Sequence, residues 1–438
     1  MSGFNRILLA GTGPASIQMA VMLKQSLNCC IGIAGRESVR SSSFFSALKQ
    51  SNGRISASVQ NEAHRRIAGD CDIDHIFHGY GTIEGEWDTV LLAVTTDAYI
   101  EVLNQIAEPV LKKVKCIVLL SPTVGSNSLV RHYMNSMQSN AEVISFSTYL
   151  GDTRWINGIP SNQVITAGLK RKVFIGSNRG SSCNVQKLCA MYGRLGITLA
   201  TMPAPLEAEM RNISLYVHPP LFMNDYSLSI ICGEAAVKKY VYKLFPEGPI
   251  TQNAIHDMLA AWKEMTSLFG KLKATGLNLL QFMTDDNYPV REESLSREDI
   301  EQFVHRNPIH QAYLLYIRYA SLLIDPFSTP DEEGKYFDFS AVPIRQINRN
   351  SDGAWEMPRM PKEDYYRIKI IQGIARFVDS ACPTIDKFIA AYEGAIVQFA
   401  EAHQDERLSD AFTVQSFEDD LERICSDIGA MLQPNTAH

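Results

Sequence analysis

The chain has 438 residues, 45% of them hydrophobic and 20% charged, a length that favours two or more domains and a composition that excludes a disordered or low-complexity protein. Its 41 basic and 48 acidic side chains leave a net charge of −7, which argues against a general nucleic-acid binder with its basic stripe. No apolar stretch approaches the roughly 18 residues that span a bilayer, and the start of the chain runs into a short apolar segment ending in glycines, not a signal-peptide pattern, so a soluble cytoplasmic protein with no membrane or nucleic-acid partner is expected.

Taken in order, residues 7–10 predict a buried strand, followed by the turn Gly11-Thr12-Gly13-Pro14-Ala15-Ser16. Apolar residues then recur at Ile17, Ala20, Val21, Met22, Leu23 and Leu27, a helical spacing with Pro14 near the first turn. A second strand over 29–34 ends at Gly35-Arg36, and further strands are predicted at 90–94, 116–120 and 143–146. Apolar strands alternating with helices predict a doubly wound parallel sheet covered on both faces. Residues 164–167 and 172–175 predict a hairpin-type pair. Beyond about residue 200, long helical patterns dominate, at 255–272, 310–323, 364–378, 385–400 and 417–432. The expected architecture is a Rossmann-like α/β domain over 1–200 and a mainly helical domain over 201–438, with the cleft between them as the site.

Nine cysteines without a paired C-x-x-C spacing read as reduced thiols. His75 and His78 form an H-x-x-H, but no second ligand pair lies nearby, so no metal is expected there.

The glycine turn carries the first functional reading. Gly11 and Gly13 follow a strand and open a helix, where a backbone without Cβ atoms can approach a pyrophosphate and the helix amides stabilise its charge. The third small position is Ser16, where glycine or alanine is usual. Thr12, Pro14 and Ala15 complete the turn. After the second strand, an NAD-reading protein commonly places an acid on the ribose 2′-hydroxyl. Here Gly35 is followed by Arg36, with Ser38 and Arg40 close behind. Guanidinium groups pair with a 2′-phosphate and hydroxyls donate to it, which predicts NADP(H). Thr95, Thr96 and the run Ser121-Pro122-Thr123 follow two further strands, at the carboxyl ends that face the ligand crevice, where they serve either as cofactor contacts or as helix caps.

Two segments suit acid–base work. One places Asp152 and Arg154 two residues apart after a strand. The other sets His218 against Pro219 and Pro220, and the first proline biases His218 away from helix.

Long strings then become specific. Gln60-Asn61-Glu62-Ala63-His64, Ser145-Phe146-Ser147-Thr148-Tyr149-Leu150-Gly151-Asp152-Thr153-Arg154, Ser214-Leu215-Tyr216-Val217-His218-Pro219-Pro220-Leu221-Phe222-Met223-Asn224-Asp225 and Val241-Tyr242-Lys243-Leu244-Phe245-Pro246-Glu247-Gly248-Pro249-Ile250 resemble the opine metallophore dehydrogenases. Asp325-Pro326-Phe327-Ser328, the stretch from Tyr336 to Pro343, and Arg359-Met360-Pro361 continue the similarity over essentially the whole chain.

The resemblance implies an NADPH-dependent enzyme with a Rossmann domain and an opine-dehydrogenase helical domain, typically a homodimer. It would condense a 2-oxo acid, pyruvate or 2-oxoglutarate, with the primary amine of a histidine-derived, nicotianamine-like intermediate. The product would be a chelator that captures zinc, nickel, cobalt or copper, so the metal belongs to the product and none is expected in the enzyme. The family's catalytic histidine falls on His218, its active-site aspartate on Asp152 and its 2′-phosphate arginine on Arg36. A second basic residue of that loop, a lysine in the family, falls near Ser42, and Arg40 stands in for it.

Such a reaction needs one imidazole to take the amine proton and return it to the departing hydroxyl, a role assigned to His218. Asp152 either tunes that imidazole or anchors the amine substrate. Arg154 and Arg211 are candidates for the carboxylate of the oxo acid, and Asn224, Asp225 and Tyr242 for the lining. Two alternatives share the architecture: a 2-hydroxy-acid or amino-acid dehydrogenase, and an NADPH-binding regulator without turnover.

Overall fold

The computed structural model describes residues 3–433 except 234, 236, 288, 289, 291, 323, 326, 327, 329 and 351, and the backbone alone at 39, 40, 292, 324 and 325. The chain divides into two compact units, Met1–Arg211 with Pro326–Phe337, and Asn212–Asp325 with Asp338–His438.

In the first unit, β1 (Arg6–Ala10), α1 (Pro14–Ser26), β2 (Cys30–Gly35) and α2 (Val39–Gln50) lead to β3 (Arg54–Val59), β4 (Gly69–Asp72) and β5 (His75–His78). Then come β6 (Thr89–Leu92), α3 (Tyr99–Gln105), α4 (Glu108–Leu111), β7 (Cys116–Leu119), α5 (Ser126–Ser136) and β8 (Glu142–Phe146). The unit closes with β9 (Gly151–Trp155), β10 (Gln163–Leu169), β11 (Lys172–Ser177), α6 (Cys183–Arg194), β12 (Thr198–Thr201) and α7 (Pro205–Glu209).

Eight strands form one sheet in the order β12-β11-β8-β7-β6-β1-β2-β5. The run from β5 to β8 is parallel throughout and has the order of a dinucleotide-binding sheet, with its switch point between β1 and β6. Only the joint between β8 and β11 is antiparallel. Strand side chains alternate between two cores. Ile7, Leu9, Ile31 and Ile33 enter the one that contains α1, while Leu8, Ala10, Val90 and Leu92 enter the one that contains Tyr99 and Leu103 of α3. Both faces are dry, which is why these strands read as unbroken apolar runs.

The expected pairing of 164–167 with 172–175 is corrected. β10 pairs with β3 and β9 in a second, four-stranded sheet ordered β4-β3-β10-β9, whereas β11 pairs with β8 and β12 in the large one. The two residues between them carry the chain from one sheet to the other instead of folding it back, because β10 buries Val164 in the core that also holds α1 and packs Leu169 against it. A buried polar chain ties the small sheet to that helix. Tyr149 Oη and Thr153 Oγ1 lie 2.7 Å apart, Thr153 and Thr166 Oγ1 2.7 Å apart, Thr166 Oγ1 donates to Gln18 Oε1 at 2.8 Å, and Gln18 Nε2 donates to the Ile67 carbonyl at 2.7 Å.

The first unit extends past the expected boundary at residue 200 because α7 belongs to it. Glu209, with no exposed surface, accepts from the Gly125 and Asn127 amides at 2.8 and 2.7 Å and from the Ser145 hydroxyl at 2.8 Å. A carboxylate there meets the positive end of α5. The segment Pro326–Phe337 also returns to this unit, where Ser328 bridges to Asn61.

The second unit comprises α8 (Ser214–Phe222), α9 (Asp225–Ile231), α10 (Gln252–Lys271) and α11 (Leu279–Gln281), the last running into a π-helical turn over Phe282–Asn287. After these come α12 (Arg297–Glu301), α13 (Pro308–Ala320), α14 (Arg359–Phe377), α15 (Pro383–Ala402) and α16 (Glu418–Leu432). The five long helical patterns in the sequence correspond to α10, α13, α14, α15 and α16. Among the described residues, no helix is long and apolar enough to cross a membrane.

The expectation that Pro219 keeps His218 out of a helix is corrected. His218 lies inside α8, with Pro219 and Pro220 also in it. Prolines at these positions take away the amide partners of the Leu215 and Tyr216 carbonyls, a cost of about 3 kcal/mol in an isolated helix. Burial overrides it: every residue from Leu215 to Phe222 is buried, and α14 and α10 pack against the helix.

Candidate active site

Four strand ends of the first unit carry the residues expected to hold a dinucleotide. Gly11 has φ +124°, and a Cβ on it would lie 2.6 Å from the Ala93 carbonyl oxygen, so the turn accepts only glycine. Gly13 is the N-cap of α1 and Pro14 its first residue. No side chain caps this helix end, and a Cβ at Gly13 would meet nothing within 4 Å. An uncapped helix amino end facing open space fits a pyrophosphate. Ala15 and Ser16 follow in the first turn, and Ser16 is fully buried, so the third small position is filled by a packed serine.

Gly35 ends β2 against Thr12, whose Cγ2 would come 2.4 Å from an added Cβ. Arg36 is exposed just beyond. Ser38 is the N-cap of α2, and its hydroxyl accepts from the Ser41 amide at 3.2 Å in a capping box with Ser41. The side chain of Arg40 lies outside the described residues. His78, at the end of β5 and level with Gly35, packs against Phe45 with ring centroids 4.5 Å apart. His75 points to the opposite face of that strand, edge-on to Trp87.

Thr96 is 1% exposed, lies 3.2 Å from the Ser126 hydroxyl and accepts from the Thr123 amide at 3.2 Å. It therefore braces the ends of β6 and β7 against α5. Thr95 precedes it, half-buried. The buried hydroxyl of Thr123 has no partner among the described residues.

On β9, Asp152 and Arg154 form a forked ion pair, with Arg154 Nε 3.0 Å from both carboxylate oxygens and Nη2 on Oδ2. Both are partly exposed, and the guanidinium also lies over the Phe337 ring at 5.4 Å. Arg211 donates to the Glu207 carbonyl at 2.7 Å and covers the Phe174 ring at 5.4 Å.

In the second unit, His218 is 8% exposed and its Nδ1 lies 3.1 Å from both carboxylate oxygens of Asp364 on α14. Its Nε2 faces the Tyr242 hydroxyl at 3.4 Å, and Phe222 meets the ring edge-on. Burial, the largest influence on Asp364, raises its pKa, but the charges and hydrogen bonds of His218 and Arg367 outweigh it and hold the carboxyl below the usual range. An ionised Asp364 only accepts, so Nδ1 is the ring nitrogen that donates to it and Nε2 is the one turned to Tyr242. Asn224 caps α9, accepting from the Ser227 amide at 2.9 Å and donating to the Pro220 carbonyl at 2.9 Å, so it holds the end of α8 in place. Asp225 is exposed in the first turn of α9.

Asp364 is the residue that sequence reading missed. Its signal was present: Glu363, Asp364 and Arg367 stand among the apolar positions of α14, where charges are rare unless paired.

A Rossmann unit with an uncapped phosphate-binding turn, joined to a helical unit with a carboxylate-held imidazole, defines an NADP-dependent opine dehydrogenase. The sequence model of the staphylopine dehydrogenase family matches residues 5–428, and the chain belongs to that family. It is 44% identical to the staphylopine synthase of Staphylococcus aureus over 418 residues, covering 95% of this chain and 96% of that one. It is 35% identical to the pseudopaline synthase of Pseudomonas aeruginosa over 398 residues, covering 90% of each. The solved structure of yersinopine dehydrogenase with NADP+ bound superposes with a TM-score of 0.90 at 27% identity, over 98% of this chain and 100% of that one.

Proposed function

We propose that the chain makes an opine metallophore by condensing a 2-oxo acid, pyruvate or 2-oxoglutarate, with the primary amine of a histidine-derived, nicotianamine-like intermediate and reducing the resulting imine. The observation that carries this reading is the buried His218 with Asp364 on Nδ1 and its Nε2 turned to Tyr242. NADPH supplies the hydride when bound. Gly11, Thr12, Gly13, Pro14, Ala15 and Gly35 hold its phosphates and ribose, and Arg36, with Ser38 and Arg40 on the same loop, selects the 2′-phosphate. Thr95 and Thr96 support the nicotinamide end.

His218 Nε2 takes the proton that the amine releases as it adds to the carbonyl. The imidazolium then gives that proton to the carbinolamine hydroxyl as water leaves. Asp364 is a positioning residue that fixes the ring and its tautomer. With that place filled, Asp152 serves the substrate, accepting from a cationic nitrogen of the amine while Arg154 turns to a carboxylate. Within the helical unit Asn224 and Tyr242 support the imidazole, and Arg211 of the first unit is a further cation for a carboxylate.

The test is direct. The protein is incubated with NADPH, the amine and each oxo acid, and the product is weighed. A mass equal to amine plus oxo acid, less one oxygen, supports the reading. NADPH oxidation that proceeds equally well with the amine left out points to a 2-hydroxy-acid dehydrogenase and sinks it.

A further inference from the structure

Beyond the imidazole and its carboxylate, α14 carries two more charges in dry surroundings. We propose that Glu363 and Arg367 are positioning residues that set the proton affinity of His218 by charge balance, an inference that rests on the catalytic role given to His218 above. Glu363 and Arg367 are 5% and 4% exposed, stand one helical turn apart and form an ion pair. Arg367 Nη1 also donates to Asp364 Oδ1 at 3.0 Å, and Asp364, 1% exposed, meets His218. The order is carboxylate, guanidinium, carboxylate, imidazole.

With the imidazole neutral, the four buried groups sum to one negative charge, and with imidazolium to zero; the guanidinium of Arg359 on the far side of Glu363 is 66% exposed and its charge is screened by water. An unbalanced charge away from water is costly, so the set as built favours proton uptake at its last member. Without the Glu363 charge the same uptake would run from zero to one positive charge, and would be disfavoured. Arg367 has a second effect. It keeps Asp364 ionised in either state of the imidazole, so the proton stays on the ring.

Among the other charges around α8 on the described residues, Arg359 alone touches this set, from a side chain that is mostly exposed and so screened by water; the rest pair with other groups or face solvent. On α14, Lys362 pairs with Glu356, Lys369 with Glu393, and the exposed Arg359 reaches Glu363 at 3.4 Å. On α10, Asp257 pairs with Lys387, and Glu264 accepts from the Thr384 and Ile385 amides, while His256 and Lys263 are exposed. On α15, Tyr392 is buried; on α9, Asp225 is exposed and Tyr226 donates to the Pro246 carbonyl. Tyr242 faces Nε2, and neighbouring Lys243 pairs with Asp338.

Glu363→Gln keeps the shape and removes the charge. The ring nitrogens of His218 are followed by NMR as pH varies, assigned through the signals lost in His218→Asn. The midpoint moves down by about one pH unit in Glu363→Gln, the alkaline limb of kcat follows it, and Glu363→Asp returns both toward wild type. A folded Glu363→Gln protein with an unmoved midpoint overturns the proposal. Should that variant fail to fold, the wild-type protein decides: the Asp364 carboxyl carbon must stay ionised while His218 titrates, and a carboxyl that takes the proton in place of the ring overturns it. If the midpoint moves as stated but His218→Asn turns over at the wild-type rate, the charge balance stands and the catalytic assignment falls.

Discussion

The proposed mechanism concentrates the chemistry in one ring, that of His218. His218→Asn keeps a polar group of similar reach but cannot cycle a proton, so kcat drops by roughly 10²–10⁴ while NADP+ still quenches intrinsic fluorescence with an unchanged Kd. Asp364→Asn removes the acceptor that fixes the tautomer and lowers kcat by a similar factor. It also changes the response to acid. The lowered pKa of Asp364 means that its ionised form stabilises the fold above the ordinary carboxylate value near 4, and that this contribution disappears as the pH falls through the depressed folded value. Denaturant midpoints between pH 5 and 2 should therefore fall more steeply for wild type than for Asp364→Asn. Arg36→Ala loses charge-assisted bonds to a 2′-phosphate and lowers kcat/KM for NADPH about 10–100-fold with little change for NADH; a preference for NADPH that survives intact contradicts the assignment. The thiols are poor rivals for any of these roles, since burial pushes Cys29 and Cys232 up to about 11. His218 and Asp152 could be reached from the sequence through the strings around them. Asp364 comes from a helix 146 residues away and has no motif of its own, so its only mark in the sequence is a charge at an apolar position of α14.

Elements show the same division. The strands β1, β2, β6, β7 and β8 were legible because each is dry on both faces and therefore a plain apolar run. β3, β4, β9 and β12 were not, since they carry half-buried or exposed polar residues that leave no plain apolar run. α8 was misread because a local rule for proline met eight buried residues whose packing outweighs it. Two tests probe how elements hold the site. Gly35→Ala pushes a Cβ into the Thr12 methyl, so NADP+ binding weakens and Tm falls; adding Thr12→Ser removes that methyl and restores much of both. Thr166→Val breaks the hydroxyl chain between Thr153 and Gln18 and leaves buried groups without partners, at a cost of about 1–3 kcal/mol. That variant should raise KM for the amine, whose proposed contact Asp152 lies next to Thr153, more than KM for NADPH. Equal shifts in both would show that the chain acts on stability alone.

At the scale of the molecule, the change from alternating strands to long helices near residue 200 was plain in the sequence. The return of Pro326–Phe337 to the first unit was not, because a short excursion has no periodicity to betray it. The helical unit hides its charges in pairs, so its sequence looks like any amphipathic bundle.

One feature of the Rossmann unit constrains what may bind to it. Two of its helix amino ends differ sharply, α1 opening at a glycine that no side chain caps and α5 at a position already filled by Glu209. The protein thus carries its own resident anion at the second of these positive poles. The amino end of α1 is therefore left open to a diphosphate, whereas an acidic ligand straying toward α5 is turned away by like charge.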